Sequence, residues 1–190
     1  ADILISNIDA RKTFLNLIGE KYLPKAFVKR IRKLQPSISI FQVYLGLKID
    51  LKKIGIFDYE IFYNPNYNSD QQFLSSTQRI DIKETIFCIT LYSNLDSNAA
   101  PEEKSNVGIT ILSGYDYWAS LKKEEYQNEK QRVAKELISE AGRIIPNLSS
   151  YIETVEIATP LTMERYTGNY KGAIYGWSQI VRQSGINRPS

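Results

Sequence analysis

The chain has 190 residues, of which 43% are hydrophobic and 24% are charged, and its formal net charge is +3. This composition predicts one globular domain with an apolar core of its own. The sequence contains no histidine, which excludes Ser-His-Asp and Cys-His catalysis and HExxH zinc sites. Its single cysteine, Cys88, excludes an internal disulfide, and the small net charge argues against nucleic acid as a partner.

The N-terminal part of the chain predicts a short strand followed by two helices. We predict the strand over 3–6, a helix from Asp9 to Gly19, and a second helix from Pro24 to Leu34. One side of the second helix is basic, with the residues Lys25, Lys29, Arg30, Arg32 and Lys33. We interpret these basic residues as the solvent-exposed face of the helix, and peripheral contact with anionic membrane lipid is the alternative.

The middle of the chain alternates in the way that is typical of strands. A long strand is predicted over 37–50, with Phe41, Val43 and Leu45 on one face and Gln42 and Tyr44 on the other. Further strands are predicted over 59–63, 85–93, 107–112 and 152–158, and a long helix over 116–145. These elements predict an α+β fold: a mixed, mostly antiparallel sheet with helices packed on one face.

Cys88 lies inside the apolar run TIFCITLY, which is predicted as a strand. A lone cysteine in such a run indicates an inert core thiol rather than a nucleophile. The cysteine content also fits a reducing, cytoplasmic setting.

The stretch YIETVEIATPLTMERYTGNYKGAIYGW, residues 151–177, is the most informative part of the sequence. Glycines recur at every fourth position, at Gly168, Gly172 and Gly176, with Tyr175 and Trp177 beside the last one. Glycine allows close backbone approach, and aromatic rings offer apolar faces. Two interpretations stay open: a turn packed against other backbone, or a wall beside a planar ligand.

Three passages, taken in chain order, resemble the phytoene-desaturase-type flavin oxidoreductases, a family of carotenoid desaturases, carotenoid isomerases and retinol saturases. ADILISNID resembles the ADAVVSNAD-like passage that leads out of the flavin domain in that family. PSISIFQVYLGL resembles the strand that follows it, and TPLTMERYTGNYKGAIYGW resembles the passage just before the closing flavin strand. Together the three passages span nearly the whole chain.

The resemblance implies that residues 1–190 are a single substrate-binding domain, a fragment whose segments 1–20 and 165–190 connect to a flavin-binding domain. The sequence has no GxGxxG motif, so we expect FAD in the full-length protein and none bound to this fragment. Because the only methionine is Met163, we expect the chain to be an excised domain. The fragment alone is expected to be inactive.

The resemblance further implies an FAD-dependent oxidoreductase of carotenoid biosynthesis. Such an enzyme acts on carbon–carbon double bonds of a polyene or other apolar lipid by desaturation, saturation or isomerisation. The implied cofactor-binding residues are Gly172, Tyr175, Gly176 and Trp177, and the implied substrate-binding residues are Tyr44 and Tyr92. The catalytic residues stay unknown, since we assign no general acid or base in this chain, and we predict no metal ligand.

A different class of protein remains as the alternative reading of the residues. An apolar sheet also suits a standalone module that binds an apolar ligand or a protein partner without redox activity. An RNA-binding sheet is disfavoured because the sequence lacks the RNP-type aromatic signature.

Overall fold

The computed structural model describes residues 2–185, which form a five-stranded sheet with helices. The strands are β1 Ser39–Leu47, β2 Glu60–Tyr63, β3 Phe87–Leu91, β4 Ser105–Ser113 and β5 Ile152–Ala158. They lie in the order β2-β3-β4-β1-β5, and every neighbouring pair is antiparallel. The predicted α+β fold is confirmed. The segment 165–190, which the resemblance implies to connect to a flavin-binding domain, lies within the described residues only as far as residue 185.

The α-helices are α1 Lys25–Lys33, α2 Ser69–Thr77, α3 Tyr92–Leu95, α4 Tyr115–Ser120, α5 Lys123–Ala141, α6 Leu148–Tyr151 and α7 Pro160–Thr167. A π-helix spans Lys12–Gly19, and short 3-10 turns connect other elements. No helix within residues 2–185 is both long enough and apolar enough to cross a membrane.

One face of the sheet forms the main core because alternate strand residues point to the same side. The register places Phe41 beside Ile111 and Val43 beside Ile109, so buried side chains form rows across the strands. Val133 and Leu137 of α5 close this face, and both are fully buried. Trp118 of α4 stacks on Phe41 with ring centroids 5.3 Å apart.

The opposite face, which we call the second face, is much less covered. The register assigns to it Ile40, Gln42, Tyr44, Phe62, Cys88, Thr90, Gly108, Thr110 and Leu112, among others. Phe62 is 71% exposed, Leu112 43% and Tyr44 38%, whereas Gln42 and Gly108 are buried. The long helix α5 therefore packs on one face, as predicted, whereas the short helix α3 covers part of the second face and the rest of that face presents apolar side chains to solvent.

Two predicted elements are wrong. Residues 3–6 form no strand, because they have no strand beside them within residues 2–185, and Ile3, Leu4 and Ile5 are more than four fifths exposed. The helix predicted over 116–145 is two helices, α4 and α5. The carboxylate of Glu125 accepts a 2.9 Å hydrogen bond from the backbone N–H of Lys122, which starts α5 afresh.

Helix α2 was not predicted. It begins where the Asn68 side chain accepts a hydrogen bond of 3.1 Å from the backbone N–H of Gln71. Its apolar periodicity is weak: Gln72, Ser75 and Ser76 are its buried residues. Hydrogen bonding by these polar side chains, rather than an apolar stripe, holds it in place.

Candidate functional site

Tyr44 and Tyr92, the two predicted substrate-binding residues, meet on the second face through Gln42. The Tyr44 hydroxyl donates a hydrogen bond of 2.9 Å to Gln42 Oε1. Gln42 Nε2 in turn donates one of 3.1 Å to the Tyr92 hydroxyl. Alternation along β1 places Gln42 and Tyr44 on the same face, and α3 follows β3 directly, which brings Tyr92 over the sheet.

Gly108 makes room for this group. A Cβ atom at Gly108 would lie 3.0 Å from both Gln42 Nε2 and the Tyr92 hydroxyl. Burial, and then the charge of nearby Tyr92, raise the pKa of Tyr44 above its ordinary value. The Tyr44 hydroxyl therefore keeps its proton at neutral pH and acts as a donor.

Cys88 lies on the second face and not in the core, so the predicted core position is wrong. Its thiol donates a hydrogen bond of 3.3 Å to Glu60 Oε1. Burial and that hydrogen bond raise the pKa of Cys88 to about 11. The thiol therefore stays protonated at neutral pH, in agreement with an inert cysteine.

The C-terminal segment runs beside the residues that precede β1. The backbone N–H of Ser37 donates 2.7 Å to the carbonyl of Gly176, and the N–H of Ser178 donates 2.9 Å to the carbonyl of Gln35. Pro36 and Trp177 form an isolated antiparallel bridge. After α7, the chain thus returns to pair with the N-terminal extension of β1.

Gly172 is packed against protein backbone. Its φ is +60°, and a Cβ atom there would lie 2.5 Å from the carbonyl oxygen of Pro160 and 2.8 Å from Ser39 Oγ. The Ser39 hydroxyl donates a buried hydrogen bond of 2.7 Å to the Gly172 carbonyl. The need for glycine at this position follows from these contacts alone.

Gly176 and Tyr175 lie at the surface. Gly176 has a φ of +67° and no atom within 4 Å of the place where a Cβ would stand. The Tyr175 side chain is 68% exposed, while its backbone N–H donates 2.9 Å to Ser37 Oγ. A cavity of about 530 Å³ lies beside Tyr175 and is also lined by Ile38 and Ile180.

Trp177 belongs to a small second core, which also contains Ile31 and Leu34. Arg11 holds this cluster together, because its guanidinium donates hydrogen bonds of 2.8 Å to the carbonyls of Arg32 and Leu34. The same group lies 4.0 Å from the ring centroid of Tyr170 and 5.7 Å from that of Trp177. Arg11 thus joins the N-terminal segment, α1 and the C-terminal segment.

Glu164 fixes the turn after α7. It accepts a hydrogen bond from the Tyr115 hydroxyl and another, of 2.9 Å, from the backbone N–H of Lys171, whose φ is +54°. The bond to Glu164, and then burial, raise the pKa of Tyr115 to about 12. These groups tie the turn to α4, and the Lys171 ammonium pairs with Asp116 at 2.7 Å.

The implied FAD needs room for a flat ring and backbone donors for its phosphates. Among the four predicted cofactor residues, Tyr175 and Gly176 are exposed, whereas Gly172 and Trp177 are used in packing. Tyr175 and Gly176 therefore leave exposed surface that a flat ring could border, and the four residues supply no site for the phosphates. Residues 2–185 contain no group of three or more side chains suited to hold a metal ion.

The prediction brought together Tyr44 and Tyr92, but it missed the residues that arrange them. Gln42 was noted only as part of a mixed strand face, and Gly108 was not singled out. The available signal was a glutamine two residues before Tyr44, on the same face of a strand that is otherwise apolar. The sequence gives no indication that Arg11 joins three segments, because its partners are distant from it along the chain.

The known proteins that are similar to this chain have the names of enzymes that act on polyenes. The chain is 25% identical over 174 residues to a prolycopene isomerase of Daucus carota, covering 91% of the chain and 26% of that protein. It is 23% identical over 177 residues to the 1-hydroxycarotenoid 3,4-desaturase of a Flavobacterium, covering 93% of the chain and 34% of the relative. An all-trans-retinol 13,14-reductase of Danio rerio is 23% identical over 195 residues, covering 93% and 31%. No family model matches the sequence.

These comparisons confirm the resemblance seen in the sequence. The chain is similar to prolycopene isomerases, to a 1-hydroxycarotenoid desaturase and to all-trans-retinol reductases, at 20–26% identity across more than nine tenths of its length. It spans about a quarter to a third of the length of the curated relatives that it matches.

Proposed function

We propose that this chain is the substrate-binding portion of an FAD-dependent oxidoreductase. The full-length protein would act on carbon–carbon double bonds of a polyene or other apolar lipid, by desaturation, saturation or isomerisation. The observation that carries the proposal is the second face of the sheet, which presents Phe62, Leu112 and Tyr44 to solvent. The names of the homologues, which are polyene isomerases, a desaturase and reductases, support the reaction class.

The second face suits a long apolar ligand. Its exposed side chains include Tyr44, Phe62 and Leu112, and burial of such a surface against a hydrocarbon is favourable at about 25 cal/mol per Å². A hydrocarbon offers few hydrogen bonds, so the shape of this face would orient it. The core face is already covered by α5, whereas the second face leaves these apolar side chains free to bind a ligand.

We further propose that the C-terminal segment borders the flavin, which another part of the full-length protein would hold. When bound, the flavin supplies the hydride chemistry. In this chain, Tyr175 and Gly176 would lie against it, while Gly172 and Trp177 would hold the segment in place by packing. The contacts between this segment and residues 35–39 would keep Tyr175 in register with β1.

The basic side of α1 supports a proposal of peripheral membrane contact in a protein of a reducing compartment. Lys25, Lys29 and Lys33 follow one another at intervals of four on a helix without acidic residues, and none of the three forms an ion pair within residues 2–185. Such like-charge neighbours destabilise a helix by about 0.2–0.5 kcal/mol per pair. Anionic headgroups would relieve this repulsion.

Vesicle binding tests the membrane proposal. Replacement of Lys25, Lys29 and Lys33 by glutamine is expected to weaken binding to phosphatidylserine-containing vesicles roughly 100-fold, at about 1 kcal/mol per charge. The matched control replaces three exposed lysines elsewhere, namely Lys52, Lys123 and Lys135. Equal losses in both variants, or equal binding of the unaltered chain to phosphatidylcholine vesicles, would contradict the proposal.

The enzyme proposal is tested on the full reading frame that contains this chain. We expect the purified protein to show the visible absorption bands of a flavin and to change the saturation or geometry of a polyene, followed by chromatography. A protein that binds a polyene but no flavin would support the standalone apolar-ligand module instead. A protein that binds neither would overturn both readings.

A further inference from the structure

The hydrogen bonds among Tyr44, Gln42 and Tyr92 leave one donor unused. In the structure, the Tyr44 hydroxyl donates to Gln42 Oε1, and Gln42 Nε2 donates to the Tyr92 hydroxyl oxygen. The Tyr92 proton then has no acceptor within residues 2–185. If the amide of Gln42 is turned over, the roles exchange and the Tyr44 proton is left instead.

The unused donor does not depend on the amide orientation. The two ends of the Gln42 amide face different tyrosines, so in either orientation the amide NH2 donates to one hydroxyl, and the proton of that hydroxyl finds no acceptor in the amide. Glu156 lies across from Tyr44 in the strand register, and it bonds to neither tyrosine hydroxyl. The group is therefore a fixed donor on a face that also exposes the apolar side chains of Phe62 and Leu112.

The group is also held in place. Gln42 is only 7% exposed, whereas Tyr44 and Tyr92 are both partly exposed, so a ligand on the second face meets the tyrosines and not the amide. Gly108 provides the space beneath Gln42 and Tyr92, as the 3.0 Å approach of a Cβ atom there shows. Tyr44 remains 38% exposed, so part of its side chain is accessible from the second face.

We propose that Tyr44, Gln42 and Tyr92 form a polar subsite for one oxygen of an otherwise apolar ligand. The ligand class is a polyene that carries a hydroxyl or keto oxygen, which accepts the free tyrosine proton. This inference rests on the proposed function. A pure hydrocarbon that covers the subsite removes the tyrosine hydroxyl from water without offering it an acceptor, which is unfavourable. An oxygenated polyene accepts its hydrogen bond.

The test compares two polyenes that differ only in one terminal hydroxyl. Their binding to the flavin-loaded full-length protein is followed by quenching of its fluorescence. We expect the hydroxylated polyene to bind about tenfold more tightly, the effect of one hydrogen bond. The double variant Tyr44→Phe/Tyr92→Phe keeps both rings and is expected to lose this preference while it still binds the hydrocarbon.

A matched control replaces two tyrosines outside the second face. Tyr22→Phe/Tyr166→Phe alters side chains that are 70% and 77% exposed, and it is expected to retain the tenfold preference. Equal affinities for the two polyenes in the unaltered protein would overturn the subsite and leave the proposed function standing. If neither polyene binds, both the subsite and the proposed function are overturned.

Discussion

Replacement of Gly172 by alanine distinguishes the two interpretations of the glycine-rich stretch. A Cβ atom there would stand 2.5 Å from the backbone oxygen of Pro160 and 2.8 Å from Ser39 Oγ. We expect a cost of about 1 kcal/mol for the positive φ, about 1 for the disturbed hydrogen bond from Ser39, and about 1–2 for overpacking. The free energy of unfolding should therefore fall by about 3–4 kcal/mol, without any ligand.

Gly176→Ala is the matched control. The φ is similar, at +67°, but no atom lies within 4 Å of the added methyl group, so we expect a loss of only about 1 kcal/mol. Urea unfolding, followed by tryptophan fluorescence, measures both variants, and Trp177 reports on this part of the fold. If the two variants are equally stable, the packing explanation of Gly172 is wrong.

Three further predictions concern single side chains. The pKa of Cys88 is raised to about 11, so its thiol should react with iodoacetamide about 100-fold more slowly at pH 8 than an unperturbed thiol. Glu60→Gln should speed this reaction. Equal rates in the variant and the unaltered protein would refute the role of Glu60. Hydrogen bonds from Arg132 and Tyr117 lower the pKa of Glu129, so its stabilisation is complete above about pH 5 and is lost as the pH falls through the lowered folded-state pKa. Glu129→Gln should then destabilise the fold at pH 7 by about 1–3 kcal/mol, and this difference should shrink in acid, as urea titrations at several pH values would show. Arg11→Met should increase hydrogen exchange in 25–34 and 170–178 but not in β3 and β4; uniform exchange would contradict its role as a local clamp.

The strands of the sheet could be predicted because each carries its own signal. Phe41, Val43 and Leu45 alternate with less apolar residues, and this alternation fixes both the strand and its buried face. The break between α4 and α5 was missed because Leu121 and Lys122 are ordinary helix residues. The capping by Glu125, a side-chain contact, decides the boundary.

The candidate site was only partly predictable for a similar reason. Alternation places Tyr44 on the second face, but the position of Tyr92 depends on how α3 turns back over β4. The role of Gly172 depends on Pro160 and Ser39, which approach it only in the folded chain. Sequence spacing showed that glycine mattered there and did not show what it packs against.

Polyene binding by variants of the second face tests the central claim most directly. In the full-length protein, we would compare Phe62→Ser/Leu112→Ser with Leu4→Ser/Leu17→Ser, a control at exposed apolar positions outside that face. The account predicts that the first variant loses most of its affinity for a polyene while the control binds as the unaltered protein does. Unchanged binding by the first variant would contradict it.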